Sequence, residues 1–171
     1  WNWPLNMAMW KMCAPLVVGC TIVLKPAEIT PMSMIYLMRI WQEAGLPDGV
    51  VNIVIGTGTE IGSPLAGHPG INKVSFTGST PVGKLVGKAA LGHMNPATVD
   101  LAGKSASVAF DDANLEDIVT GTLQSVFFNS GQTCSAGSRL YVQRGLYDQA
   151  VAAVAKAANE MVVGDPLDTN I

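Results

Sequence analysis

The sequence predicts an α/β protein built on a parallel sheet. Short apolar runs of strand length alternate with longer segments of helical periodicity, the pattern of strand, helix, strand that a parallel sheet requires. Glycine-rich turns stand twice at a strand-to-helix junction, at Gly56-Thr57-Gly58-Thr59-Glu60-Ile61-Gly62 and at Phe76-Thr77-Gly78-Ser79-Thr80-Pro81-Val82-Gly83. No stretch repeats and no tract is of low complexity, which excludes a solenoid.

Taken in order, a helix is expected over residues 5–14, followed by the strand Thr21-Ile22-Val23-Leu24-Lys25. Thr30 reads as an N-cap with Pro31 at the first helical position, opening a helix that reaches Ala44 and stops at Gly45. In that helix Met32, Met34 and Met38 read as packing residues. The strand Val50-Val51-Asn52-Ile53-Val54 follows, then the first glycine turn and a short helix over residues 60–66. Lys73-Val74-Ser75-Phe76 is the next strand, and Ser79-Thr80-Pro81 starts a helix toward Ala90. Short strands are expected at residues 98–101 and 107–110, a helix from Asn114 toward Phe128, a strand at Leu140-Tyr141-Val142, and a helix over residues 147–161. A glycine after the strand at 98–101 marks a turn as readily as a domain crossing; the boundary favoured here gives domains at 1–102 and 103–171.

Bulk composition narrows the class. The 171 residues are 49% apolar and 13% charged, against about 25% charged in an average soluble domain, so part of the surface is expected to be covered by other protein. Trp1 opens the chain and residues 164–171 read as a turn, so an excerpt of a longer polypeptide is expected. A net charge of −3 with scattered lysines and arginines lacks the basic footprint of a nucleic-acid binder. The longest apolar stretch, residues 12–24, contains Pro15 and Gly19 and is shorter than the ~18–20 residues that span a bilayer, so it reads as a helix end and a buried strand. Cys13, Cys20 and Cys134 form an odd set without regular spacing, which suggests neither a disulfide framework nor a zinc site and fits a reducing, cytoplasmic compartment. His68 and His93 neighbour turn residues without a partner at metal-ligand spacing; both are expected at the surface, and no metal site is predicted.

Cys134 is the leading candidate for chemistry. It lies among small and polar residues in Asn129-Ser130-Gly131-Gln132-Thr133-Cys134-Ser135-Ala136-Gly137, where a thiol can be reached by a substrate; the alternative is a packed thiol at a loop-strand junction. Cys13 and Cys20 sit among apolar residues, where cysteine behaves as a small hydrophobe. Lys25-Pro26-Ala27-Glu28 leaves the end of a strand, the edge at which ligands collect in open sheets, and its lysine and glutamate either serve ribose hydroxyls or form a solvated pair. The first glycine turn reads G-x-G-x-x-x-G, one residue longer than the dinucleotide fingerprint, and is either a cofactor contact or an ordinary turn. At the second, amides and a hydroxyl at a helix N-terminus can receive phosphate oxygens. Asp100 stands in the apolar run Thr98-Val99-Asp100-Leu101-Ala102, as a buried carboxylate suited to general base work or at an edge that reaches water.

Together these segments resemble the NAD(P)-dependent aldehyde dehydrogenase superfamily over the whole sequence. Trp1-Asn2-Trp3-Pro4 is similar to its W-N-[FYW]-P, residues 25–28 to its K-P-[AS]-E, residues 76–79 to its F-T-G-S, residues 98–105 to its T-L-E-L-G-G-K-S, and residues 129–139 to its cysteine signature. The resemblance implies a Rossmann-like cofactor domain followed by the beginning of a catalytic α/β domain. It implies oxidation of a small-molecule aldehyde to a carboxylic acid, with Cys134 as nucleophile, Asn2 and the Cys134 N–H as oxyanion donors, and Asp100 in the general-base position. On the cofactor side it implies Lys25 and Glu28 at the adenosine ribose, Gly58 and Gly62 near adenine and phosphates, and Gly78 and Ser79 at the pyrophosphate. Trp1, Pro26, Ala27, Phe76, Thr77, Val82, Leu101 and Ala102 complete the implied cofactor-binding set. NAD is expected over NADP because Glu28 would repel a 2′-phosphate, although Lys25 could accept one. The full-length protein is expected to be a homodimer or homotetramer, and this segment alone to be inactive.

Two residues depart from the family pattern. Its base is usually glutamate, and Asp100 is shorter by about 1.5 Å. Its first glycine after that strand is Ala102 here. Release of the acyl group is therefore expected to suffer more than its capture. A CoA-acylating relative and a nucleotide-binding homologue with impaired catalysis are the alternative readings.

Overall fold

Proline opens the first helix and glycine closes it. The computed structural model describes residues 1–169. Helix α1, Pro4–Val17, has Pro4 at a position whose N–H would have no partner, and it runs through Pro15 to a longer end than the periodicity predicted. Gly19, at φ +82°, then lets the Cys20 N–H reach the Pro15 carbonyl (2.9 Å) and its own N–H reach that of Leu16 (3.0 Å). The same closure ends α2, Met32–Glu43, at Gly45, where the sequence placed the stop. Its start differs. Thr30 does not cap the helix; its hydroxyl donates to the Trp1 carbonyl (3.2 Å), and Pro31 takes the cap position.

Three strand-helix-strand units follow one another, and each forms a parallel pair. Strand β1, Ile22–Leu24, pairs with β2, Val51–Ile53, across α2. Strand β3, Val74–Gly78, pairs with β4, Ala97–Leu101, across α4, Thr80–Leu91. Strand β5, Ala106–Ala109, pairs with β6, Arg139–Val142, across α5, Leu115–Phe127. The short α3, Ser63–Ala66, lies between β2 and β3, and α6, Tyr147–Asn159, follows β6. The α/β class and the parallel pairing are thus as predicted.

The chain divides into two compact units, Trp1–Leu101 and a second beginning at Ala102. In the first, Ala8, Met12, Met34 and Val51 form a buried cluster flanked by Leu16, Leu24, Leu37, Met38 and Trp41. Met12 and Met34 are fully buried, each stabilising the unit by about 1.5–3 kcal/mol through lost apolar surface. Met38 packs on this cluster as expected, whereas Met32, at the start of α2, is exposed. Cys13 and Cys20 are exposed, contrary to their apolar context. Cys13 follows the inward Met12 by one residue and so turns to the other face of α1, while Cys20 lies in the closing turn before β1 begins. The second unit packs β5 and β6 against α5 and α6 through Ala109, Ile118, Ala150, Leu140 and Leu146. Asn114 caps α5, its side-chain oxygen accepting from the Glu116 N–H at 2.8 Å. Among the described residues no helix is long and apolar enough to cross a membrane.

Candidate functional site

In the first unit the candidate residues gather where strands hand over to helices. After β1, the buried Pro26 turns the chain and Lys25 donates from Nζ to the Pro26 carbonyl (2.9 Å) and to Glu28 Oε2 (3.4 Å). Glu28 is exposed, and its own backbone N–H together with the Lys25 ammonium holds its carboxyl below the usual carboxylate range. The Lys25 stem lies across Gly62; a Cβ there would meet Lys25 Cε at 3.4 Å. So the loop after β1 and the first glycine turn are neighbours.

That turn explains its own length. Gly58–Gly62 forms a single π-helical turn, in which the Gly62 N–H reaches back five residues to the Thr57 carbonyl (3.3 Å) and the Ser63 N–H reaches that of Gly58. The extra residue in G-x-G-x-x-x-G is absorbed by the wider turn. Thr57 caps it, accepting from the Glu60 N–H (3.2 Å) and donating to Glu60 Oε2 (2.8 Å). A carboxylate already occupies this helix start, and the space in front of Gly58 is open.

The second glycine junction differs. Strand β3 extends to Gly78, and the Phe76 ring folds so closely over Gly78 that a Cβ there would collide with it. Ser79 is the N-cap of α4 but makes no side-chain capping bond, so its hydroxyl and the first-turn amides remain at a helix start with no acidic residue in the first turn. Val82 is exposed on that turn, and Gly83 is packed so tightly against the Leu101 side chain that a Cβ would overlap it. Leu101 is therefore what seats α4 on β4.

Opposite Thr77 in the parallel register stands Asp100. Of the two readings that the apolar run left open, a buried carboxylate and an edge position that reaches water, the structure shows the second: Asp100 is exposed, along with Ala97, Thr98 and Val99. Its Oδ2 lies 3.5 Å from the Thr77 hydroxyl, which accepts from Lys11 Nζ at 2.6 Å. Burial pulls the Lys11 pKa down, and the charge of Asp100 pulls against that shift. Sequence reasoning missed Lys11. Its signal was present, since it is the sole charged side chain between Trp1 and Leu24. Asn2, half-buried, and the exposed Trp1 lie just before α1.

In the second unit Cys134 is half-buried on a loop between α5 and β6. The 3₁₀ turn Phe128–Gly131 leads into it, with Asn129, Ser130 and Gly131 all in the left-handed region at φ 54°, 57° and 74°. For Ser130 that conformation costs on the order of 1–2 kcal/mol, whereas Asn129 is a residue type that tolerates it. Beyond them the Ala136 N–H donates to the Thr133 carbonyl (3.2 Å), folding a turn around Cys134. The buried Gly137 then donates its N–H to the Ser125 carbonyl of α5 (3.2 Å), where a Cβ would strike Ser107 and Ser125. A Cβ on Gly103 would lie 3.9 Å from the Cys134 carbonyl. His68 and His93 are exposed, as expected, and the described residues contain no group of three or more metal-ligating side chains.

The sequence model of the aldehyde dehydrogenase family matches residues 1–171. The chain belongs to that family. DhaS of Bacillus subtilis (strain 168) is 46% identical over 173 residues, which take in all of this chain and 35% of that protein. Among solved structures, the NAD+ complex of an aldehyde dehydrogenase from Bacillus cereus is 46% identical with a TM-score of 0.96, over 98% of this chain and 34% of that one. A betaine aldehyde dehydrogenase from Staphylococcus aureus in complex with NAD+ is 37% identical with a TM-score of 0.96, over 99% and 34%. This aldehyde dehydrogenase chain thus spans about a third of the length of the relatives it matches.

Within it, the structure brings Lys25, Glu28 and Gly62 together, and separately Thr77 and Asp100 with Lys11. Gly78, Ser79 and Val82 share the start of α4, and Leu101 lies against the same helix. Ala102 begins the second unit and is exposed.

Proposed function

We propose that this chain carries the dinucleotide site and the nucleophile of an NAD(P)-dependent aldehyde dehydrogenase that converts an aldehyde to a carboxylic acid. The family match over residues 1–171 carries the reading, with Cys134 on a turn that leaves it half-buried rather than sealed. In this reading the first unit is a Rossmann-like cofactor domain and the second begins the catalytic domain.

The residues present suit a dinucleotide. Lys25 as donor and Glu28 as acceptor match a ribose diol, and the open face of Gly58 leaves room for a flat ring. Glu60 at the first glycine turn disfavours phosphate there, whereas the start of α4, with Ser79 uncommitted as a cap, favours it. The pyrophosphate is accordingly assigned to Gly78, Ser79 and the α4 amides, and the adenosine end to Lys25, Glu28, Gly58 and Gly62. NAD is favoured over NADP because the ionised Glu28 would oppose a second phosphate on that ribose. When bound, the nicotinamide supplies the hydride acceptor that the oxidation requires.

The protein groups do the rest. The Cys134 thiolate forms a carbon–sulfur bond to the aldehyde carbonyl, whose oxygen gains the negative charge. The Asn2 side-chain amide and the Cys134 N–H donate to that oxygen, a stabilisation whose loss typically costs about 10²–10³-fold. After oxidation the acyl group is held as a thioester on Cys134. Asp100 takes a proton from water, the water oxygen adds to the thioester carbonyl, and the carbon–sulfur bond breaks to release the acid and the thiolate. The Thr77 hydroxyl, itself held by Lys11, lies 3.5 Å from Asp100 Oδ2 and ties that short side chain to β3. Hydrolysis is therefore the slower half of the cycle.

NADH formation by the full-length protein across aliphatic, aromatic and semialdehyde substrates tests the reading. Turnover of at least one class supports it; no NADH from any, with dinucleotide bound, would leave a nucleotide-binding homologue. Adding CoA and assaying acyl-CoA distinguishes the acylating alternative.

A further inference from the structure

We infer that Asn129 and Gln132 form a reciprocal clasp that positions Cys134, an inference that rests on Cys134 being the nucleophile. The two side chains exchange bonds with each other's backbone. Asn129 Nδ2 donates to the Gln132 carbonyl (3.2 Å), and Gln132 Nε2 donates to the Asn129 carbonyl (3.2 Å). The Gln132 N–H adds a third bond to that same Asn129 carbonyl at 3.0 Å. These bonds close a turn whose residues Asn129, Ser130 and Gly131 are all left-handed, a conformation that Ser130 in particular disfavours. Both clasp residues are exposed, so the bonds are not a by-product of core packing.

What the clasp fixes is the approach to Cys134. Thr133 Oγ1 lies 3.5 Å from the Phe128 carbonyl, which continues the closure to the residue just before the cysteine. On the far side the Gly137 N–H is bonded to Ser125 on α5. Cys134 is thus suspended between two ties to the C-terminal end of one helix. With the clasp cut, the turn that leads to the Thr133 tie can relax toward ordinary backbone angles, shifting the thiol and the Cys134 N–H while leaving the sulfur reachable. Asn129 and Gln132 are positioning residues: they act on the aim of the thiol, not on its presence.

The test uses the full-length protein and two cofactor-free probes of Cys134. Iodoacetamide needs only a reachable thiolate. With 4-nitrophenyl acetate, by contrast, sulfur must attack an oriented carbonyl, forming the carbon–sulfur bond and expelling 4-nitrophenolate with its electron pair. Asn129→Gly keeps a residue that accepts left-handed angles, and Gln132→Met keeps length without the donor. Each is expected to slow the 4-nitrophenolate burst by about 10- to 100-fold, the scale of a misplacement near 1 Å, with iodoacetamide labelling of Cys134 unchanged. The double variant is expected to be no slower than the worse single one, because both bonds belong to one clasp. An unchanged burst in both variants, losses that multiply in the double variant, or labelling that falls in step with the burst would each overturn the clasp. A burst that survives in Cys134→Ala would instead overturn the nucleophile assignment beneath it.

Discussion

The two units hold their candidate residues by different means. In the first, regular elements set them: Lys25 and Glu28 just past β1, Gly78 at the end of β3 and Ser79 at the start of α4, Asp100 within β4 in register with Thr77. Backbone regularity does the placing. In the second, Cys134 is placed by an irregular loop, with left-handed residues before it and a turn around it. Regular junctions suit the ligand proposed for the first unit, which would be bound through many weak contacts, whereas the proposed nucleophile must be aimed, a task for a loop that its own bonds over-determine.

The sharpest way to break this contrast is to remove the thiol. In the full-length protein Cys134→Ala is expected to lower aldehyde oxidation by at least about 10³-fold, with dinucleotide affinity, read from tryptophan fluorescence, unchanged. Weakened dinucleotide binding would mean that the two functions are not separable as drawn. Next in size is Asp100→Glu. Restoring the longer carboxylate is expected to speed the steady-state phase by about 10- to 100-fold relative to the NADH burst; linear kinetics in both proteins would remove the hydrolysis defect.

Stability probes the regular half. Gly83→Ala would drive a methyl into the Leu101 side chain, and a loss of about 1–3 kcal/mol in urea unfolding is expected; a neutral substitution would mean that α4 is not seated on β4 as described. The smallest effect belongs to Glu28. Its folded carboxyl lies below the ordinary value of 4.5, so the folded state binds fewer protons than the unfolded state as that range is crossed. Its stabilising contribution is therefore present above about 4.5 and is lost as pH falls through the folded value. The thermal midpoint of Glu28→Gln is expected to trail the parent slightly at neutral pH and to meet it in acid; a constant gap would contradict the ion pair with Lys25.

Legibility in the sequence follows the same divide. The strands, the helix stop at Gly45, the helix start at Asn114 and the glycine junctions were readable because propensity and turn chemistry act locally. Burial was less readable. Cys13 and Cys20 lie in an apolar run yet are exposed, and for Asp100 the sequence could not choose between burial and the solvent-reaching edge it occupies, because exposure depends on which neighbour covers a strand or helix face. Thr30 looked like a cap, but its hydroxyl was claimed by the distant Trp1 carbonyl. Lys11 was missed because its partners, Thr77 and Asp100, come together only through the register of β3 and β4. Cys134 stood out by composition, but the clasp beside it did not, since left-handed backbone at Asn129 and Ser130 leaves no pattern in residue type.

The slow step of the proposed cycle is the release by Asp100 of the acyl group that Cys134 captures. It is tested most directly by mixing the full-length protein with NAD and an aldehyde that it oxidises, quenching in acid during turnover, and mapping the adduct by peptide mass spectrometry. An acyl mass is expected on the peptide bearing Cys134, at higher occupancy than in Asp100→Glu. An acyl group on Cys13 or Cys20, or none on any cysteine while NADH accumulates, would contradict it.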